Sequence, residues 1–192
     1  NDKIQDMDLS DFAAVIDGGK FDGTYYGLPY RTSSSIMYYN KTMFDEAGVA
    51  YPEEGWTYDD MLEIAKKLTI PGEQYGVGIA ASNADPSNVF MTLSPIVWSY
   101  GADFLNEDQT ECTLNTPEAM EAVRFFTGLY TTEKVTPEGV INYTMTKDIM
   151  PLFIENKVGM MMGGDQNAVE FDTNYPDLDY GFCVPPKSPA SS

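Results

Sequence analysis

Strand-like apolar runs alternate with helical stretches of about ten to fifteen residues along most of this chain, and that alternation constrains the fold more than any single motif. The clearest helix start is Trp56-Thr57-Tyr58-Asp59-Asp60. Thr57 can accept a bond from a free backbone N–H, and the two aspartates occupy the first turn, where the helix dipole favours them. Met61, Leu62, Ala65 and Leu68 then recur at helical spacing until Pro71-Gly72 ends the run. Asp85-Pro86 and Thr116-Pro117 each set a capping residue ahead of a first-turn proline. The helix after Asp85 is expected to bury Val89, Phe90, Leu93, Val97 and Tyr100, with Pro95 as an internal kink. The helix after Thr116 is expected to bury Ala119, Ala122, Val123, Phe126 and Leu129. A shorter helix over 149–155 takes Asp148 as its cap.

Between these, Ser35 to Tyr39, Tyr75 to Ala80, the apolar run Val158 to Met162 and Tyr180 to Val184 read as strands, and Tyr26 to Leu28 as a further extended piece. Gly163-Gly164 read as a sharp turn into a segment over 165–171. Leu9 to Ile16 reads as a short helix, Asp22-Gly23 as a turn, and Phe104-Leu105 with Glu111 to Leu114 as a small hairpin. An α/β fold with a largely parallel or mixed sheet follows.

The charge narrows the partners. Eleven basic residues stand against thirty acidic ones, a net charge of −19, and such a field repels nucleic acid and anionic lipid headgroups. No apolar run approaches the ~18 residues of a membrane span. The chain opens on Asn1 in polar sequence and stops at Pro189-Ala190-Ser191-Ser192, which reads as a piece of a longer protein with any export signal outside it. Histidine is absent, so Ser-His and Cys-His nucleophile systems and histidine-based zinc sites are excluded within this piece. Cys112 and Cys183 sit in strand-like runs, where a small buried thiol is expected. Neither phosphate-loop, dinucleotide, nucleophile-elbow nor CxxC patterns occur, and no cofactor or metal is implied.

Three places set polar groups at strand ends or helix starts, where α/β sheets bind ligands. The first is Tyr30-Arg31-Thr32-Ser33-Ser34-Ser35, whose hydroxyls and guanidinium suit a hydroxyl-rich ligand; a polar surface turn accounts for the same residues. The second precedes the helix at Pro86. Capping alone explains Asp85 there, while Asn88 and Met91, a turn further in, can face a cleft. The third is Gly163-Gly164-Asp165-Gln166-Asn167, where glycines allow close backbone approach and a helix start offers unpaired N–H groups; a tight turn explains the glycines equally well. Trp56 and Trp98 read as core residues.

The runs "GTYYGLPYRTSSSIMYYNKTMFDEAGV" and "GWTYDDMLEIAKKLT" resemble the family 1 extracellular solute-binding proteins of ABC importers. So do "NTPEAMEAVRFFTGLYTTEKVTP" and "PLFIENKVGMMMGG" followed by "PDLDYGFCVPPKSP", in the family's order from Gly19 onward. The resemblance implies one lobe of a two-lobed periplasmic-binding-protein-like fold of type II, a mixed sheet flanked by helices. Residues 1–24 would be the tail of the first lobe or a linker, and 25–192 the second lobe with its entering crossover strand. It further implies a non-catalytic, monomeric protein, extracellular or periplasmic, with lipid anchoring left open. Its ligand would be a small polar solute, a carbohydrate above all, passed to an ABC permease. Arg31, Ser33 and Ser34 would face ligand with Tyr30 at the hinge side, joined by Asn88, Met91, Gly163, Gly164, Asp165 and Gln166. Some sugar-binding members carry an aromatic platform in that last turn, where this chain has Asp165 and Gln166. A glycoside hydrolase fragment using two carboxylates, or a binding protein for an anionic polyol phosphate or a peptide, are the rival readings.

Overall fold

The computed structural model describes residue 4 and residues 14–188, so most of the expected helix from Leu9 lies outside the described residues; Ala14–Gly19 forms 3-10 turns. Two compact units are distinguished, Asn1–Ser34 and Ser35–Ser192. In the first, β1 (Lys20–Phe21) and β2 (Thr24–Tyr25) pair antiparallel. Asp22 and Gly23 turn between them with φ of 45° and 73°, the left-handed pair that a two-residue hairpin requires. Tyr26 to Leu28 is not a strand. Tyr26 favours a pleated, half-buried surface, but beyond β2 the Tyr26 N–H returns to the Gly19 carbonyl at 2.8 Å.

The second unit is a four-stranded sheet in the order β4-β5-β3-β6, built from β3 (Ser35–Asn40), β4 (Tyr75–Gly78), β5 (Val158–Gly164) and β6 (Tyr180–Cys183). β4 runs parallel to β5, and β3 runs antiparallel to both β5 and β6. The sheet is therefore mixed. β5 is buried along its whole length, which a strand covered on both faces demands and an uninterrupted apolar run supplies.

Helices cover both faces. Met37, Met160 and Met162 point into the larger core with residues of α2 (Tyr58–Leu68), α3 (Pro86–Ser99) and α4 (Pro117–Thr131). Tyr38 and Met161 point into a smaller core with Met145, Phe153 and Phe171, covered by α5 (Met150–Ile154) and α6 (Gln166–Asn174). A short α1 (Lys41–Ala47) leaves β3 at once. Seven residues are too few to show a periodic stripe, and its signal is local: Asn40 accepts the Met43 N–H at 3.0 Å, and Gly48 ends the helix at φ 64°. Asn40 is wholly buried and also donates to the Phe153 carbonyl, so Asn40-Lys41-Thr42 is no glycan acceptor.

Several details depart from expectation. Phe90 is 46% and Trp98 51% exposed, whereas Thr92, Ser94, Ile96 and Val97 are buried. Thr92 can occupy the buried face because its hydroxyl donates back to the Asn88 carbonyl at 2.9 Å. Phe90 and Trp98 instead pack against Phe104 at the base of the hairpin, with ring centroids 5.0 and 6.3 Å away. Cys112 is exposed and Cys183 half-buried, and both are free thiols; burial pushes the Cys183 thiol up to about 11. The helix expected from Ile149 begins earlier. A wide π-type turn over Met145–Ile149 precedes α5, with Thr144 as its cap, and Asp148 is not the cap but the acceptor for the Thr144 N–H and hydroxyl at 2.8 and 2.9 Å.

Candidate functional site

β5 carries on through both of its terminal glycines, pairing Gly163 with Ile36 and Gly164 with Ser35. The expected turn thus falls one step later, at Asp165. The glycines serve close packing instead: a Cβ on Gly164 would collide with the Gln166 carboxamide, and one on Gly163 would lie 2.8 Å from Asn167 Oδ1.

The turn is tied down from a distance. The buried Tyr38 hydroxyl donates to the Gly164 carbonyl at 2.8 Å and accepts the Ala168 N–H at 3.2 Å. Asn167 Oδ1 accepts the Gly164 N–H at 3.1 Å, and Asn167 Nδ2 donates to Met150 Sδ at 3.4 Å. Burial raises the Tyr38 pKa above the usual phenol value, so the hydroxyl stays a donor. Tyr38 thereby engages one of the N–H groups, that of Ala168, which a helix start otherwise leaves without a partner.

A cavity of about 350 Å³ opens at this end of β5, within the range of small-molecule sites. α3 contributes Asn88 and Met91, and the strand end contributes Gly163 and Gly164. Gln166, Asn167 and Glu170 come from one side of α6, and Met145, Thr146 and Met150 from the π-type turn and the start of α5. The cavity therefore draws walls from the helical layers on both faces of the sheet. Its apolar surface is thioether, with no aromatic ring, and Glu170 is its one ionisable side chain.

Asn88 is oriented by Asp85. Asp85 precedes α3 but makes no side-chain cap; its carboxylate accepts both bonds from Asn88 Nδ2, each at 2.9 Å. Capping is therefore not its task. A carboxylate can only accept, so the Asn88 amide turns its NH2 to Asp85.

Of the residues singled out from sequence, Asn88, Met91, Gly163, Gly164 and Gln166 line this one cavity. Asp165 stands exposed at the head of α6 and is not among the lining. Tyr30 is 98% exposed, and Arg31, Ser33 and Ser34 follow it in an exposed, irregular stretch of the first unit. Asn167, part of the same expected stretch as Gln166, lines it too, whereas Met145, Thr146, Met150 and Glu170 were not foreseen. Glu170 was within reach, lying four residues past Gln166 on a helix. The other three depend on the π-type turn, which left no periodic trace.

A second cavity, of about 630 Å³, lies beside Phe90, Trp98 and Phe104. Trp98 is not a core residue there; its indole N–H donates to Asp103 Oδ1 at 3.1 Å. Among the described residues no group of three or more His, Cys, Asp or Glu is placed to hold a metal ion, and no helix is long and apolar enough to cross a membrane.

A sequence model of the bacterial extracellular solute-binding proteins matches residues 2–191. A putative binding protein of Brucella abortus is 34% identical over 172 residues, covering 89% of this chain and 40% of that protein. An ABC substrate-binding protein from Listeria monocytogenes, solved in complex with cycloalternan, superposes with a TM-score of 0.81 at 28% identity over 98% of this chain and 46% of that one. A solute-binding protein from Agrobacterium vitis with bound D-mannitol gives 0.75 at 27% identity, again over 98% of this chain and 46% of the other. The chain spans less than half the length of each. The fold is that of the type II periplasmic-binding-protein class.

Proposed function

The chain belongs to the bacterial extracellular solute-binding protein family, and on that premise we propose that it is one lobe of a two-lobed receptor. The receptor captures a small hydroxyl-bearing solute, a mono- or oligosaccharide or a polyol, by closing around it, and delivers it to the membrane permease of an ABC importer. The observation that carries this reading is the cavity at the end of β5, whose lining combines carboxamides and a hydroxyl with methionine thioethers. Such groups donate and accept in turn, as sugar hydroxyls require. The cycloalternan and D-mannitol complexes of the two similar structures support the same class of ligand.

In this reading residues 1–24 are the tail of the first lobe or a linker, and 25–192 the second lobe. Tyr30, Arg31, Ser33 and Ser34 belong to the crossing segment, and Gln166, on the cavity wall, donates to ligand hydroxyls. The protein acts outside the cytoplasmic membrane, in the periplasm or lipid-anchored at the cell surface, and as a monomer. It binds its solute without turnover.

A ligand shifts an open–closed equilibrium only by its differential affinity for the two states, so contacts to both lobes are required and this lobe by itself binds weakly. The test is a thermal-shift screen of the full-length protein against neutral sugars and polyols. Saturating ligand raises the melting temperature of a protein that binds it only when folded. No shift with any of them overturns the proposal, and a nanomolar titration by this lobe alone overturns the divided site.

A further inference from the structure

We propose that this wall reads hydrogen-bond donors and rejects anions, with Glu170 as the residue that sets the choice; the inference rests on the solute-binding role above and narrows its ligand to uncharged polyhydroxy compounds, excluding their phosphate esters. Three independent features bias the cavity the same way. Its one ionisable lining group is the Glu170 carboxylate, and no lysine or arginine lines it. Lys147 follows the lining residue Thr146 in sequence but is exposed and outside the lining.

The second feature is the fixed orientation of Asn88. Its Nδ2 is bound to both carboxylate oxygens of Asp85, so an anion approaching this amide meets a fixed negative charge beside it.

The third is the start of α6. A helix N-terminus is the usual seat for phosphate because its N–H groups lack partners. Here the Ala168 N–H is bound by the Tyr38 hydroxyl, the neighbouring Gly164 N–H by Asn167, and the carboxylate of Asp165 stands at the head of the helix. The helix start thus has one N–H already taken and a carboxylate at its head, both of which weigh against an anion there.

Glu170 lies one turn after Gln166 on α6, so it and Gln166 face the same bound group. Its carboxylate accepts a hydroxyl from a neutral ligand and repels a phosphate dianion.

The experiment measures the full-length protein by thermal shift and calorimetry against D-mannitol, maltose and D-tagatose on one side and sn-glycerol 3-phosphate and mannitol 1-phosphate on the other. At least one neutral compound is expected to bind, with both phosphate esters weaker by about tenfold or more. Glu170→Lys should bring the phosphate esters up by roughly tenfold while weakening the neutral ligand. Glu170→Gln, which keeps the shape and removes the charge, should move the ratio the same way by less. Ligand-free melting curves check that both variants fold. A phosphate ester binding the unaltered protein as tightly as any neutral compound overturns the inference and leaves the solute-binding role standing, as does an unchanged ratio in both variants. Binding by neither class overturns both.

Discussion

The helix beginning at Tyr58 and the helix beginning at Gln166 each need partners for their first N–H groups, and the two find them at opposite ranges. At the first, Thr57 Oγ1 accepts the Asp60 N–H at 3.2 Å while Asp60 Oδ2 accepts the Thr57 N–H at 2.8 Å, a reciprocal box closed within four residues. At the second, Asp165 makes no side-chain cap, and Tyr38, 130 residues before Ala168 in the chain, supplies the acceptor. The first start forms wherever its own residues are. The second exists only once β3 pairs with β5 and the smaller core closes around Tyr38. The cavity-lining Gln166, Asn167 and Glu170 sit at or just after the second kind of start, so their placement is as exact as the core beneath them.

The sharpest way to break that contrast is to remove the support under α6. Phe171 meets Tyr38 edge-on with centroids 5.5 Å apart and stacks on Phe153 at 5.6 Å. Phe171→Ala is expected to cost about 3–5 kcal/mol in urea denaturation and to abolish solute binding by the full-length protein. Leu129→Ala, in the larger core, is expected to cost about 2–5 kcal/mol and leave binding intact in the folded fraction. If both variants lost binding alike, the smaller core would have no special claim on the site.

A gentler cut isolates the cap itself. Tyr38→Phe keeps the ring and deletes the hydroxyl, leaving the Gly164 carbonyl and the Ala168 N–H without it. The expected loss is about 1–3 kcal/mol, the cost of stranded buried polar groups. Amide exchange at Ala168 should quicken more than at Ala65, which lies in the locally capped helix. Equal acceleration at both would show the cap to be dispensable.

The same contrast explains what could be read from the sequence. Thr57, Thr116 and the stripe Met61, Ala65, Leu68 announced α2 and α4 because cap and periodicity lie within a few residues of each other. The apolar run from Val158 announced β5 and thereby the mixed sheet. The cap of α6 was invisible because its acceptor belongs to another strand. Asp85 looked like a cap and orients Asn88 instead, since sequence alone cannot choose between a carboxylate's possible donors. Phe90 and Trp98 looked apolar enough to be core, but Thr92 satisfied its own hydroxyl and took the buried side. Asn88, Met91 and Gln166 were legible because strand ends and helix starts are where α/β sheets present polar groups. The methionine lining from Met145 and Met150 was not, because a π-type turn breaks the period that would have shown it.

The smallest expected effect belongs to the local cap, and it carries its own pH signature. Asp60→Asn weakens the box and is expected to cost about 0.5–1 kcal/mol at neutral pH, with no change in solute binding. Hydrogen bonds from the Thr57 side chain and then its backbone hold the Asp60 pKa below the usual carboxylate value. A depressed folded pKa contributes stability that is fully present above the unfolded value of about 3.9 and is lost as pH falls through the folded one. The difference in denaturation free energy between the parent and Asp60→Asn should therefore shrink between pH 5 and pH 2, values chosen to bracket about 3.9. The penalty of Tyr38→Phe should not track that loss, because the Tyr38 hydroxyl is protonated throughout the range. A Tyr38→Phe penalty that faded in step with that of Asp60→Asn would mean that the distant cap leans on a titrating carboxylate after all.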